Sequence, residues 1–206
     1  MQEDKLPALM RRRLSPLGRK GLASIYNSIE SIDGKAIPWV VSCRNGDAAR
    51  RFELLSSLEK NEMLSPTHFS MSVHNANIGM LSIATSNKEP NTSLAGGENS
   101  FEMGLLEAIA MLKQRGGMVG YVYYDYQDVH GLSQELDQDK AIDCIAMILG
   151  DEDSNCEILV KYQDRAVKED LIQYSILKLL DFFENDTQGF RVPVAGGAIL
   201  FQRQSA

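Results

Sequence analysis

Apolar side chains recur at helical spacing in four segments of the chain. The segments are Leu17–Ile32, the stretch after Asp47, Phe101–Leu112 and Lys168–Phe183. In each segment the apolar positions repeat every three or four residues, which is the period of one face of an α-helix. Asp47 is predicted to cap the second helix, because its carboxylate accepts the free N–H groups at a helix start. The apolar stripe of that helix consists of Ala48, Phe52, Leu55 and Leu58.

Strand-like runs alternate with these helices. The run Ile37–Cys43 is almost continuously apolar and ends in a polar turn, which is typical of a strand buried on both faces. Branched, aromatic or alternating apolar residues predict further strands, the last one interrupted by glycines. These strands are Met118–Tyr126, Ala141–Leu149, Cys156–Tyr162 and Val192–Phe201. Interleaved helices and strands predict a layered α/β fold with a mixed sheet.

The segment Pro66–Ala84 is apolar with small polar interruptions. Its apolar residues are Phe69, Met71, Val73, Ile78, Met80, Leu81 and Ile83. Because they do not keep to one face, the spacing favours a deeply buried helix over a surface helix. A stretch rich in Ser, Asn, Pro and Gly follows from Thr85 to Gly97 and leads into the helix that contains Phe101.

Composition and charge narrow the classes of function. The chain has 206 residues, 44% hydrophobic and 24% charged, which predicts one globular domain over residues 1–206. A net charge of −7 disfavours non-specific binding to nucleic acid or to an anionic membrane surface. No run has the roughly 18 to 20 apolar residues of a membrane span. Met1–Leu9 lacks the apolar core of a signal peptide, so we expect a cytoplasmic protein.

A basic cluster is the local exception to this acidic charge. It consists of Arg11, Arg12, Arg13, Arg19 and Lys20. One interpretation is a solvated face at the start of a helix, which is what most charge runs are. The other is a contact surface for an acidic carrier protein.

Cysteines and histidines provide few candidates for chemistry. The odd number of cysteines and the lack of C-x-x-C spacing indicate reduced buried thiols, with neither a disulfide framework nor a zinc site. The cysteines are Cys43, Cys144 and Cys156, and the histidines are His68, His74 and His130. We expect His68 and His74 to be structural residues of the buried helix and His130 to lie in a loop. No glycine motif for a dinucleotide or a nucleoside triphosphate is present, so no cofactor is expected.

Three segments resemble the ketosynthases of the thiolase-like superfamily. The glycine-rich segment Thr92–Ser100 resembles their nucleophile turn, in which a short strand ends in a cysteine at the tip of a long buried helix. Ser65–Ala84, with its Pro, aromatic, Asn and Gly-x-x-Ser-Ile ending, resembles the segment before that turn. Arg12–Arg19 resembles the first long helix of short ketosynthase-like proteins from aryl polyene and related polyketide or fatty-acid assembly lines. The resemblance extends from about Arg12 to Tyr162.

The resemblance implies that the catalytic nucleophile is missing. It places the family's cysteine at about Gly96, and no cysteine lies between Cys43 and Cys144. Glycine cannot be acylated, so the turn cannot perform the covalent step of the family. The chain is also about half the length of family ketosynthases, whose activating His or Asn residues come from their second half. It therefore resembles chain-length factors, which pair with an active ketosynthase and shape its acyl tunnel.

The same resemblance implies three sets of site residues. In the family, the strand before the nucleophile turn pairs across the dimer axis, which implies a partner contact at Asn91, Thr92, Ser93, Leu94, Ala95 and Gly97. The preceding helix helps to line the tunnel, which implies a role for Phe69, Met71 and Met80, although ordinary core packing explains these residues equally well. A carrier protein would contact Arg11, Arg12, Arg13 and Arg19.

A physical argument supports obligate pairing with a partner. Half of a layered fold leaves a sheet edge and a broad apolar face uncovered, and both are aggregation hazards in a monomer.

Two alternatives to a partner subunit stay open. In the first, the protein is a small thiol acyltransferase that uses Cys43, whose pKa the neighbouring Arg44 would lower. No histidine base is identifiable for such a reaction, and a cysteine at the end of a strand is more often a buried core residue. In the second, the protein is a scaffold that has kept the fold and lost the chemistry.

Overall fold

The computed structural model describes residues 5–126, 142–150, 158–163, 175–185, 187–194 and 197–203. Contacts between residues divide the chain into two compact units, Met1–Leu149 and Gly150–Ala206. Compactness does not show that each unit folds by itself, so the single domain that the chain length predicts stays a prediction.

The first unit is built on a four-stranded sheet. Its elements are α1 (Ala8–Arg13), α2 (Pro16–Glu30), β1 (Trp39–Ser42), α3 (Ala48–Glu59), α4 (Pro66–Ser70), α5 (Ala76–Thr85), β2 (Asn91–Leu94), α6 (Ser100–Arg115), β3 (Met118–Tyr126) and β4 (Ile142–Gly150). The strand order is β2-β1-β3-β4, and β1 pairs in parallel with both β2 and β3. All four residues of β1 are buried, which confirms the prediction from its apolar run.

Helices cover both faces of this sheet. Trp39 and Val41 of β1 belong to one apolar core with residues of α2 and α5. The intervening residues Val40 and Ser42 point to the opposite face, because side chains alternate along a strand. On that face α6 packs through the predicted stripe Phe101, Leu105, Ala108 and Leu112, all of which are buried.

Gly104 brings α6 close to the sheet. A Cβ atom at this position would lie 2.5 Å from the Oγ of Ser42 and 2.7 Å from the ring of Tyr121. The space is occupied by a buried hydrogen-bond chain. The hydroxyls of Ser42 and Tyr121 are 2.8 Å apart, and Tyr121 donates to the carbonyl of Phe101 at 2.5 Å. This chain ties β1 and β3 to the first turn of α6.

The second unit combines a helix with an antiparallel sheet. Its elements are β5 (Ile158–Gln163), α7 (Ser175–Glu184), β6 (Gly189–Val194) and β7 (Gly197–Arg203). The strand order is β5-β7-β6, and both pairs are antiparallel. The prediction of one strand over Val192–Phe201 is wrong, because its residues belong to two strands, β6 and β7, which pair antiparallel.

Other predicted elements lie partly outside the described residues. The strands predicted at Ala141–Leu149 and Cys156–Tyr162 correspond to β4 and β5, and the helix predicted at Lys168–Phe183 corresponds to α7. His130, Cys156 and residues 168–174 lie outside the described residues.

The prediction of a deeply buried helix over Pro66–Ala84 is wrong. The segment forms two helices, α4 and α5, and every residue of α4 is exposed. Ser65 begins α4 by accepting a hydrogen bond from the N–H of His68 at 3.3 Å. Only one side of α5 packs on the core, through Asn77, Ile78 and Leu81. Apolar residues on several sides of the segment therefore do not mean burial on several sides.

The helix α3 begins as predicted but buries a different face. Asp47 accepts a hydrogen bond from the N–H of Arg50 at 3.3 Å, which confirms its role as the N-cap. Arg50 and Leu54 are the buried residues of this helix. Its large apolar stripe residues Phe52, Leu55 and Leu58 are exposed instead.

The two glycines in the interior of α5 and α6 provide a matched test of this packing. We expect Gly104→Ala to lower the free energy of unfolding by about 1–3 kcal/mol, because the new methyl group overlaps Ser42 and Tyr121. Gly79→Ala in α5 meets no atom within 4 Å and should raise it by about 0.5–1 kcal/mol. Urea unfolding of both variants measures the difference, and equal effects would contradict the packing of α6.

Candidate functional site

The strand, glycine turn and helix predicted around Gly96 are present. The strand β2 ends at Leu94, a 3₁₀ turn spans Gly97–Asn99, and α6 begins at Ser100. Gly97 has a φ of +61°, a left-handed conformation that favours glycine. The hydroxyl of Ser100 accepts the N–H of Gly96 at 3.0 Å and donates to the carbonyl of Gly97 at 2.7 Å. The side chain of Ser100 therefore holds the turn.

The turn leaves little space for a side chain at Gly96. A Cβ atom there would lie 2.9 Å from Cγ and 3.1 Å from Cβ of Met103. Met103 lies in the first turn of α6. This is the helix that would activate a nucleophile at Gly96, and its own Met103 side chain fills the space where that nucleophile would be. The backbone N–H of Gly96 is bonded to Ser100. The turn thus presents backbone and no reactive group at this position.

Cys43 follows β1 and is buried. Its Sγ atom accepts a hydrogen bond from the N–H of Gly46 at 3.1 Å. Burial raises the pKa of the Cys43 thiol, and the carboxylate of Asp125 raises it further. Asp125 in turn accepts the N–H of Arg44 at 2.7 Å. The thiol is therefore held in its neutral form, which is a poor nucleophile. Cys144 is half-buried, with its sulfur 3.0 Å from the hydroxyl of Ser24.

The two described histidines do not lie in one buried helix, so that part of the prediction is wrong. His68 is exposed on α4, with Nδ1 3.9 Å from a carboxylate oxygen of Glu53. His74 lies between α4 and α5 and packs on Gly46, where a Cβ atom would be 3.0–3.3 Å from the imidazole. Partial burial lowers the pKa of His74, and the positive charge of Arg51 lowers it further.

The turn from Arg44 to Asp47 connects several parts of the first unit. Arg44 forms an ion pair with Glu98 in the 3₁₀ turn after β2. Arg50, which is buried beside Asp47 with Nε 3.4 Å from its carboxylate, donates to the carbonyl of Arg13 at 3.0 Å. The sequence did not predict this connection. The signal in the sequence was the helical crossover between β1 and β2, which indicates parallel strands whose following turns lie at the same edge of the sheet.

The strand β2 lies at one end of the strand order, with β1 as its neighbour. Trp39 and Cys43 donate to the carbonyls of Pro90 and Leu94 at 3.1 and 3.2 Å. Backbone groups alternate in direction along a strand, so those of Asn91 and Ser93 point away from β1. The expected partner contacts Asn91, Thr92, Ser93 and Leu94 thus form an edge strand, and Ala95 and Gly97 follow it as exposed turn residues.

The three residues expected to line a tunnel lie in two different environments. Met71 is buried in the core of the first unit, and Met80 packs against that core. Phe69 lies on α4 and is exposed. The structure therefore does not bring the three side chains together on one surface.

The basic cluster spans the junction of the first two helices. Arg11, Arg12 and Arg13 form the last turn of α1, where cations favourably oppose the helix dipole. Arg12 and Arg13 are exposed, whereas Arg11 and Arg19 are half-buried. Arg19 donates to the carbonyl of Leu14 at 3.2 Å.

Across the residues that the structure describes, no helix combines the length and the apolar character needed to cross a membrane.

Comparisons with known proteins found one family model and two solved structures that are similar to this chain. A family model described as "Beta-ketoacyl synthase, N-terminal domain" matches residues 1–190. A solved structure of the ketosynthase ApeO in complex with its chain length factor ApeC, from Xenorhabdus doucetiae, aligns with a TM-score of 0.77 and 22% identity, covering 98% of this chain and 84% of the matched chain. The ishigamide ketosynthase/chain length factor structure aligns with a TM-score of 0.56 and 14% identity, covering 78% of this chain and 52% of the matched chain. No curated protein matches the sequence.

The structural matches show a thiolase-like fold, as predicted. The first matched chain and this chain each cover most of the other, whereas this chain spans about half of the second. Since the family match covers most of the sequence, the chain belongs to the family of beta-ketoacyl synthase N-terminal domains.

Proposed function

We propose that the protein is a non-catalytic subunit of the chain-length-factor type. It binds an active beta-ketoacyl synthase and helps to shape the acyl tunnel during aryl polyene, polyketide or fatty-acyl biosynthesis. The observation that carries this proposal is the turn after β2, which has the strand and the helix of the family's nucleophile turn. The resemblance places the family's cysteine at about Gly96 in this turn, where the chain has glycine. The two similar solved structures, each described as a ketosynthase with a chain length factor, support it.

The chemistry of the turn supports a role without catalysis. A cysteine at a helix N-terminus is reactive because the helix stabilises its thiolate. Here Met103 occupies the space beside Gly96, and Ser100 binds the Gly96 N–H. Condensation therefore takes place on the partner, and this turn contributes its shape.

The acyltransferase alternative is disfavoured by the environment of Cys43. Its thiol is buried, its pKa is raised, and its sulfur accepts a backbone hydrogen bond. Arg44, the residue expected to activate it, is paired with Glu98. The scaffold alternative differs from our proposal in one outcome, because a scaffold would not affect the length of the acyl product.

The edge strand β2 is the proposed centre of the heterodimer contact. The outward N–H and C=O groups of Asn91 and Ser93 can pair with a strand of the ketosynthase. Leu94, Ala95 and Gly97 extend the contact towards the glycine turn.

Phe69 is the residue that we propose to line the acyl tunnel of the ketosynthase directly. A side chain that lines a cavity of the partner must project from the surface of its own subunit, and Phe69 does so on α4. Met71 and Met80 pack on the core and support the segments that carry Phe69.

The exposed cations Arg12 and Arg13 are the proposed contact for the acidic carrier protein, with Arg11 and Arg19 beside them. The rest of the chain is net acidic, so this cluster concentrates the attraction for an acidic partner at one place.

Replacing Ser93 by proline tests the heterodimer contact. Ser93→Pro removes an N–H that points away from β1, so the subunit should stay folded while its binding to the co-expressed ketosynthase of the same locus falls at least about tenfold. Ser93→Ala keeps the N–H and should bind like the wild type. Size-exclusion chromatography and titration measure both properties. Wild-type protein that never associates with the ketosynthase would refute the proposed function.

Cysteine variants test whether catalysis belongs to this chain. The complex with Cys43→Ser should keep its condensing activity, because serine preserves an acceptor for the N–H of Gly46. Acyl label should appear on the ketosynthase alone by intact-mass spectrometry. The raised pKa also means that native Cys43 should resist alkylation at pH values near the ordinary thiol pKa of about 8.5 and react after unfolding. Acylated Cys43, or loss of activity in Cys43→Ser, would favour the acyltransferase.

Size changes at Phe69 test the effect on the tunnel. Phe69→Ala enlarges the space next to the partner and should shift products to longer chains, whereas Phe69→Trp should shift them to shorter chains. Total condensation should continue in both complexes. The two substitutions control for each other, since general damage to the interface would move both product profiles in the same direction. Unchanged lengths would favour a scaffold.

A further inference from the structure

Two adjacent helices of the first unit expose large apolar side chains. On α3, Phe52, Leu55 and Leu58 are 45%, 63% and 54% exposed, and Phe69 on α4 is 63% exposed. Val73, just after α4, is 52% exposed. We call these five residues the α3–α4 apolar face.

The residues of the α3–α4 apolar face lie on two neighbouring helices and just after the second. The helices α3 and α4 contact each other, and the carboxylate of Glu53 on α3 lies 3.9 Å from the imidazole of His68 on α4. The α3 residues repeat every three positions, so they share one side of the helix. Single exposed apolar residues are ordinary, but a stripe of them marks a contact surface.

The position of these helices in the fold relates the face to β2. The helices α3, α4 and α5 form the crossover from β1 to the edge strand β2. The helix α2 packs over β3, and α5 packs beside α2. The turn before α3 is ion-paired through Arg44 with Glu98 in the turn after β2, so α3 begins near the glycine turn.

A stable complex needs a larger contact area than β2 can provide. Specific interfaces bury about 800 Å² on each partner, contributed by roughly 20 to 30 residues. A four-residue strand and the turn after it cannot supply that area. The α3–α4 apolar face is a nearby surface with the composition of an obligate interface, which is rich in apolar residues.

We propose that the α3–α4 apolar face is a second contact region for the partner ketosynthase, beside β2, with Phe52 and Leu55 as its anchors. The surface that it meets on the ketosynthase is apolar. This inference rests on the proposed function and extends it, because it assigns the α3 helix to the interface. It also explains why Phe69 is exposed, since α4 would face the partner.

A charge substitution in the centre of the face tests this inference. Leu55→Glu places a carboxylate where an apolar contact is expected and should weaken binding to the purified ketosynthase at least about thirtyfold, the size of a hot-spot effect. Leu9→Glu on α1 is the matched control, because Leu9 is a helical leucine with 67% exposure. It should bind like the wild type in an assay without carrier protein. Thermal unfolding of both variants verifies that each stays folded.

The outcomes separate this inference from the proposed function. If the wild-type protein does not bind the ketosynthase, the proposed function fails. If it binds and Leu55→Glu binds equally well, the α3–α4 apolar face is not a contact, while the proposed function stands. If Leu55→Glu instead abolishes self-association of this chain and leaves ketosynthase binding unchanged, the face is occupied by a second copy and the inference is overturned.

Discussion

The parallel pairing of β1 with both β2 and β3 is the interaction on which the rest of the structure depends. It places the carboxyl ends of three strands at one edge of the sheet, so the turn after β1, the glycine turn after β2 and Asp125 near the end of β3 become neighbours. It also buries β1 between two layers of helices. The close approach of α6 across Gly104, with the hydrogen bonds of Ser42 and Tyr121, holds the glycine turn in a defined position.

The glycine turn keeps its shape through contacts that need no nucleophile. Ser100 satisfies the backbone of the turn, and Met103 occupies the space beside Gly96. These contacts stabilise the turn without a nucleophile, so its geometry does not depend on catalysis. The neighbouring Cys43 is buried, and burial together with the carboxylate of Asp125 raises the pKa of its thiol. The retained shape is then available for binding a partner.

Dependence on a partner gives one explanation for two otherwise unfavourable features. Within the described residues β2 is an edge strand, and large apolar side chains on α3 and α4 are exposed. Both features promote aggregation in a protein that acts alone. A ketosynthase that covers both would turn them into an interface. The proposed tunnel role of Phe69 and the proposed contact through α3 are therefore two consequences of the same uncovered surface.

The sequence by itself determined the elements that depend on local chemistry. The apolar run of β1, the Asp47 cap, the stripe of α6 and the strand Met118–Tyr126 are confirmed, because period and capping are properties of nearby residues. The tertiary structure decided what each apolar face meets. The segment of α4 was expected to be buried but is exposed, and the large apolar residues of the α3 stripe are exposed too. A helical period shows that one face of a helix is apolar, but it does not show what packs against that face. The crowding of Gly96 and the raised pKa of Cys43 likewise arise from contacts that only the folded chain creates.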